Sequence, residues 1–187
     1  MSPLNIAIIV GSTCPGRNGA AVADWVHERA AARTAATYEI VDLEDVALPL
    51  LNEAVPALAG QYEHQHTRNW AATVARFDGF VFVTPEHNHS TSPALLNALD
   101  YVYGEWNNKA VGFVSYGTSY GVRAVEHLRG VAGELQMADI RNQVRFALPG
   151  NFPDRVFTPG TEHASQAIDL FDQLELGALL TVRSGPL

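Results

Sequence analysis

With 187 residues, 20 acidic against 12 basic side chains and a formal charge of −8, the chain is a poor match for nucleic acid, whose binding rests on clustered Lys and Arg. Apolar residues make up 47% and charged residues 17%, which excludes a disordered chain and suits one folded domain over 1–187. A single cysteine, Cys14, leaves no internal disulfide, and no run nears the roughly 20 apolar residues of a membrane span, so a cytoplasmic protein without membrane contact is expected.

The first apolar run, "NIAIIV" at 5–10, predicts a strand that ends in a glycine-punctuated turn and continues as a helix over 18–33, with Ala21, Trp25 and Val26 on one face. In that turn Ser12 and Thr13 bring hydroxyls, Gly11, Gly16 and Gly19 allow backbone conformations closed to other residues, Asn18 suits an N-cap, and Arg17 adds the only nearby positive charge. A helix start placed this way offers unpaired N–H groups and partial positive charge, so an anion site outweighs a plain connecting turn.

A second strand is predicted at 38–43, followed by a Pro- and Leu-rich loop over 44–62 and a helix over 64–76 around Trp70. The third strand, "GFVFVT" at 79–84, runs into a polar loop between Pro85 and Pro93, where Ser90, Thr91 or Ser92 caps a helix over 93–103. The fourth, "AVGFVSY" at 110–116, leads into Gly117 and Gly121 flanking Tyr120, then a helix over 122–136. A fifth strand at 140–147, a loop with three prolines over 148–162 and a helical tail over 163–182 with Ile168, Phe171, Leu174 and Leu179 close the chain. Strand–helix alternation means a doubly wound α/β sheet, and the continuously apolar strands at 5–10, 79–84 and 110–116 are those of a parallel sheet covered on both faces. Ligands of such sheets sit at the carboxyl ends of the strands, which singles out the turns after strands one, three and four.

Several templates fall short. The turn 11–18 nearly fits G-x4-G-K-[ST], but Arg17 stands where Lys belongs and Asn18 where Ser or Thr belongs. A cysteine-phosphatase loop needs Arg six residues after Cys14, where this chain has Ala20, and no G-x-G-x-x-G follows a strand. His64-x-His66 and His87-x-His89 have permissive metal spacing without a Cys or H-E-x-x-H framework, and no metal is expected.

Three blocks, "VGSTCPGRNGAAVADWV", "VFVTPEHNHSTSPALLNALDYV" and "KAVGFVSYGTSYGVRAVEHLRGVAGEL", in this order and spacing, resemble the NADPH-dependent FMN reductases, flavodoxin-like proteins that include quinone, azo-dye and chromate reductases. The resemblance implies a five-stranded parallel sheet of order 2-1-3-4-5 with helices on both faces. It implies that Ser12, Thr13, Arg17, Asn18, Gly19 and Ala20 hold the FMN phosphate, that Pro85, Glu86, His87 and Asn88 line the isoalloxazine edge, and that Ser115, Tyr116 and Gly117 reach the ring from the next loop. The family often carries Arg at the position of Cys14 and Tyr at that of His87. The function implied is hydride transfer in two alternating steps, from NADPH or NADH through FMN to a small-molecule acceptor: a quinone, an azo compound, a metal oxyanion or free flavin. A flavin-binding electron carrier or redox-responsive protein without turnover is the alternative. A homodimer or homotetramer is also implied, with the loop 44–62 and the segment 93–106, including Tyr101, Tyr103 and Trp106, as interface candidates or as core.

Overall fold

Five strands, β1 (Leu4–Val10), β2 (Ala36–Asp42), β3 (Gly79–Pro85), β4 (Ala110–Gly117) and β5 (Ala138–Ala147), pair in parallel in the order β2-β1-β3-β4-β5. The computed structural model describes residues 3–184. The register sets Val10 beside Val83 and Thr84 beside Ser115, so the turns after β1, β3 and β4 leave the sheet side by side. Every residue of β3 and β4 is buried, as their unbroken apolar sequences require.

The two faces carry separate apolar layers. Ile6, Ile8 and Val10 face α1 (Gly19–Ala30) and α7 (Thr161–Ser184), while Ala7, Ile9, Phe80 and Phe82 face α3 (Gln65–Ala75), α4 (Pro93–Asp100) and α5 (Val122–Glu134). Two details of the sequence pattern shift. Ala21 is exposed and α1 buries Val22, Ala23, Trp25 and Val26, while Ile168 is 55% exposed and α7 buries Ala167, Leu170, Phe171 and Leu174. Trp25, Val26, Phe171 and Leu174 are buried as the pattern suggested, and Ala21 and Ile168 give way to buried neighbours one position away.

The segment 44–62 is not a bare loop. It begins in α2 (Leu43–Val46), capped by the Asp42 side chain, and contains a 3-10 turn at Ala57–Ala59. Asn97 of α4 straps it down by donating to the Pro49 carbonyl (2.8 Å) and accepting from the Leu51 amide (2.9 Å). The 148–162 connection likewise holds a short helix, α6 (Leu148–Asn151).

Of the aromatic interface candidates, Tyr101 and Trp106 belong to the core. The Trp106 ring meets Phe80 at 4.8 Å and Trp70 and Phe82 at 6.0 Å, and its Nε1 donates to the Leu99 carbonyl. Trp106→Ala should therefore lower unfolding stability by about 3–5 kcal/mol, read from the urea midpoint; unchanged stability with weakened self-association would return Trp106 to an interface.

Candidate functional site

Position 11 fixes how the first turn leaves the sheet. The Gly11 amide donates to the Val83 carbonyl at 2.8 Å, and a Cβ at position 11 would stand 2.9 Å from that oxygen. Only glycine lets β1 turn over the end of β3 this closely. The Gly11 carbonyl in turn accepts from the Ser92 hydroxyl, which also caps α4 by accepting from the Leu95 amide at 3.1 Å, with Pro93 at the first helical position. One buried hydroxyl thus fastens the turn after β1 to the helix that follows β3.

Between these two turns lies a cleft of about 620 Å³, lined by Ser12, Thr13 and Cys14 on one side and by Glu86, His87 and Asn88 on the other. A side hollow of about 340 Å³ shares Thr13 and Ala94 with it and continues toward Glu44 and Leu48. The first turn of α1 leaves N–H groups without helical partners at this edge of the sheet. Asn18 occupies the N-cap position but has helical dihedrals and makes no capping hydrogen bond with its side chain, so the N-cap expectation is met in place and not in role.

Arg17 is committed to its neighbours. Its guanidinium pairs with Asp42 at the end of β2 and with Glu44 of α2, and only 12% of its side chain is exposed. Nε remains buried without a hydrogen-bond partner among the described residues. Its positive charge is balanced by two carboxylates, which the sequence reading did not foresee. The signal was present: strand order 2-1-3-4-5 brings Asp42 beside the turn that follows β1.

The loop after β3 makes a two-residue reversal. His87 and Ser90 exchange backbone hydrogen bonds of 2.9 and 3.0 Å, and Asn88 (φ 49°) and His89 (φ 73°) both adopt left-handed backbone, as a type I′ turn demands. Ser90 Oγ lies 3.0 Å from Nδ1 of His127 on α5. Beneath the turn, the buried hydroxyls of Thr84 and Thr91 meet at 2.8 Å. Glu86 donates its amide to the Tyr116 carbonyl at 2.9 Å, and its side chain, 6% exposed, pairs with Arg123 at the start of α5. Glu86 Oε2 and Arg123 Nε are buried without partners among the described residues.

The loop after β4 packs against Glu86. Gly117 sits where a Cβ would lie 3.0 Å from Cβ of Glu86, and Gly121 at φ 70° where a Cβ would strike Ser115 at 2.8 Å. Ser115 Oγ donates to the Tyr120 carbonyl (2.8 Å), so its hydroxyl holds the loop's own backbone. Tyr116 points into the layer beneath α1, its ring 5.8 Å from Phe152. Its hydroxyl lies under the first turn, bonded to Ser12 and 3.0 Å from where a Cβ on Gly19 would be. The Tyr116 side chain therefore supports the Ser12 turn, and the aromatic ring open to solvent on this loop is Tyr120, 49% exposed.

Among the described residues no three His, Cys, Asp or Glu are grouped to hold a metal ion, and none of the helices is long and apolar enough to cross a membrane. His64 and His66 stack on each other and bond Asn52, a structural arrangement.

A doubly wound parallel sheet of order 2-1-3-4-5 with a cleft at the carboxyl ends of β1 and β3 has the flavodoxin-like architecture, whose ligands sit at that edge. Residues 4–148 match the model of the NADPH-dependent FMN reductases, and the chain belongs to that family. It is 38% identical over 146 residues to an NAD(P)H-dependent FMN reductase of Schizosaccharomyces pombe, covering 77% of this chain and 73% of that protein. It is 34% identical over 116 residues to a quinone reductase of Pseudomonas putida, 59% of each chain. Among solved structures, an NADH:FMN oxidoreductase in apo form superposes with a TM-score of 0.68 at 19% identity, covering 92% of this chain and 89% of that one. The flavoenzyme NAD(P)H:acceptor oxidoreductase of Paracoccus denitrificans gives 0.66 at 16% identity, covering 96% and 98%. The protein is thus an oxidoreductase that uses FMN and NAD(P)H.

Burial pushes the Tyr116 phenol up to about 12. The unfolded chain then releases this proton first, so the contribution of Tyr116 to stability is intact below pH 10 and is lost as pH rises through about 12. Comparing urea unfolding of wild type and Tyr116→Phe across pH 9–12 should show the variant's stability falling less steeply, by at most about 1.4 kcal/mol per pH unit.

Proposed function

We propose that FMN binds in the cleft between the 12–20 turn and the 85–88 loop, its phosphate on the α1 side and its ring against the loops after β3 and β4. The observation that carries this reading is one cleft that has Ser12 and Thr13 on one side and the fixed loop edge Glu86–Asn88 on the other, with the start of α1 following the same turn. Ser12 and Thr13 offer hydroxyls, and the amides of Asn18, Gly19 and Ala20 open α1, where an anion meets the positive end of the helix. Arg17 offers Nε; its charge neutralises Asp42 and Glu44, which would otherwise repel the phosphate. Glu86, His87 and Asn88 present one wall, following Pro85, and the backbone of Ser115, Tyr116 and Gly117 supports that same wall, the Tyr116 carbonyl accepting from the Glu86 amide.

The residues of the cleft fit this group. Gly11, Gly117 and Gly121 keep backbone close where side chains would crowd the edges of the site, and Glu86 Oε2 is an acceptor left over for a ligand donor. FMN, when bound, supplies the hydride-accepting ring, and the protein supplies position and electrostatics. A single cleft supports a cycle in which NAD(P)H and the acceptor take turns against one ring face. The acceptor classes put forward are quinones, azo compounds, metal oxyanions and free flavin, and the likeness to a quinone reductase favours the first.

A homodimer or homotetramer in the cytoplasm completes the reading. The surface put forward for association is the strap 47–52, which Asn97 and Tyr101 pin to α4 while Leu50 and Leu51 stand exposed. Adjacent apolar side chains exposed on a fixed strap suit a protein–protein contact.

Purified protein supplied with FMN, a quinone and either nicotinamide nucleotide should oxidise the nucleotide and show a flavin visible spectrum; consumption of neither nucleotide would defeat the proposal. Arg17→Ala should weaken FMN binding about 10- to 100-fold by fluorescence titration, because it removes a donor and unmasks two carboxylates. Restoring part of that loss by adding Glu44→Gln would identify the unmasked charge as one cause. FMN affinity equal to wild type in Arg17→Ala would remove Arg17 from the phosphate site.

A further inference from the structure

Among the described residues that line the cleft Glu86 is the only carboxylate, and its surroundings are uneven. The carboxylate is 6% exposed, while its partner Arg123 is 40% exposed. Water therefore screens the guanidinium far more than it screens the carboxylate. Glu86 Oε1 takes the ion pair, and Oε2 is buried with no hydrogen-bond partner among the described residues. A dry carboxylate with an unused oxygen is unfavourable, and such an arrangement persists where a ligand completes it. The pair is held in place on both sides: the Glu86 amide is bonded to the Tyr116 carbonyl, Cβ of Glu86 abuts Gly117, and Arg123 opens α5 directly after the left-handed Gly121.

We propose that the Glu86–Arg123 pair sets the reduction potential of flavin in this cleft. The inference rests on the FMN assignment above. Hydride transfer from NAD(P)H brings two electrons and one proton to the ring and leaves NAD(P)⁺, so the ring gains one negative charge. The unscreened carboxylate of Glu86 opposes that charge and lowers the potential, which makes the reduced flavin a stronger donor to the acceptor. Arg123 limits the effect by neutralising part of the carboxylate's field. Glu86 is in this sense a tuning and positioning residue, and its unused oxygen remains available to an N–H of the bound ring system.

A brace between two loops and a charge acting on the ring predict different signs. If the pair only braces the loops, removing either partner disturbs the site in the same direction. If the charge acts on the ring, Glu86→Gln and Arg123→Gln move the potential in opposite directions. Spectroelectrochemical titration of bound FMN at one fixed pH separates the two. Glu86→Gln should tighten reduced over oxidised FMN roughly tenfold, a rise of about 30 mV for a two-electron couple, and Arg123→Gln should shift the potential downward by a smaller amount, because its charge is better screened. Glu86→Asp, which keeps the charge, should stay nearer to wild type than Glu86→Gln.

Shifts of the same sign, an unmoved potential in Glu86→Gln, or loss of FMN binding in that isosteric variant would overturn the proposal. Thermal melts of each variant confirm that folded protein is being titrated. A wild-type protein that takes up no FMN defeats the functional assignment instead, so the two failures are distinct.

Discussion

The contact on which the site depends is the backbone hydrogen bond from Gly11 to Val83, made where a side chain at position 11 has no room. It sends the chain across the end of β3 immediately after β1, and the Ser92 hydroxyl then ties the same residue to the start of α4. Two turns that lie about 80 residues apart in sequence are thereby held as one rigid edge. Parallel sheets supply the reason such an edge is stable. β3 and β4 are buried along their whole lengths, so neither strand can slide to relieve strain in the loops without exposing apolar surface.

Electrostatics divides the site into two balanced parts. In a chain of net charge −8, the arginines nearest the cleft do not stand free: Arg17 is shared by Asp42 and Glu44, and Arg123 is joined to Glu86. An anion at the proposed site would therefore meet helix-start amides and hydroxyls more than a bare cation. That arrangement suits a monophosphate, which needs directional donors, and it avoids a strongly positive surface that would draw in polyanions. Asp42 also has a role in the fold, because the same carboxylate caps α2 by accepting from the Glu44 amide at 3.0 Å.

The sheet was legible because its strands are bounded by turn chemistry and, at β1, β3 and β4, are apolar without interruption. The α4 start was equally clear, with Ser92 capping and Pro93 following. Helix facing was less so: Ala21 and Ile168 are apolar residues that the helical period alone cannot distinguish from neighbours one step away. At the site, positions were readable and roles were not. Tyr116 lies near the end of β4, behind Glu86, yet strand alternation turns its ring beneath α1, because Ser115 and Tyr116 must point to opposite faces. The pairing of Arg17 with Asp42 and of Arg123 with Glu86 depends on which strand ends are adjacent, information that exists only once the strand order is known. The aromatics Tyr101 and Trp106 were ambiguous because an interface and a core draw on the same residue types.

The glycine-free loop after β3 shows how a site can be made rigid by residues that resist its backbone. Asn88 and His89 occupy left-handed conformations that glycine would adopt at no cost, and Asn and His pay a modest penalty there. Glycine would also give the unfolded chain more freedom and allow the loop other conformations. Here two backbone hydrogen bonds between His87 and Ser90, and the contact of Ser90 with His127 on α5, hold a single arrangement. His87 and Asn88 are thus presented to the cleft from a turn fixed to β3 below and to α5 at the side. A planar ring recognised by preformed edges loses less entropy on binding than one that must order a loop, and the strain stored in this turn is the structural counterpart of that advantage.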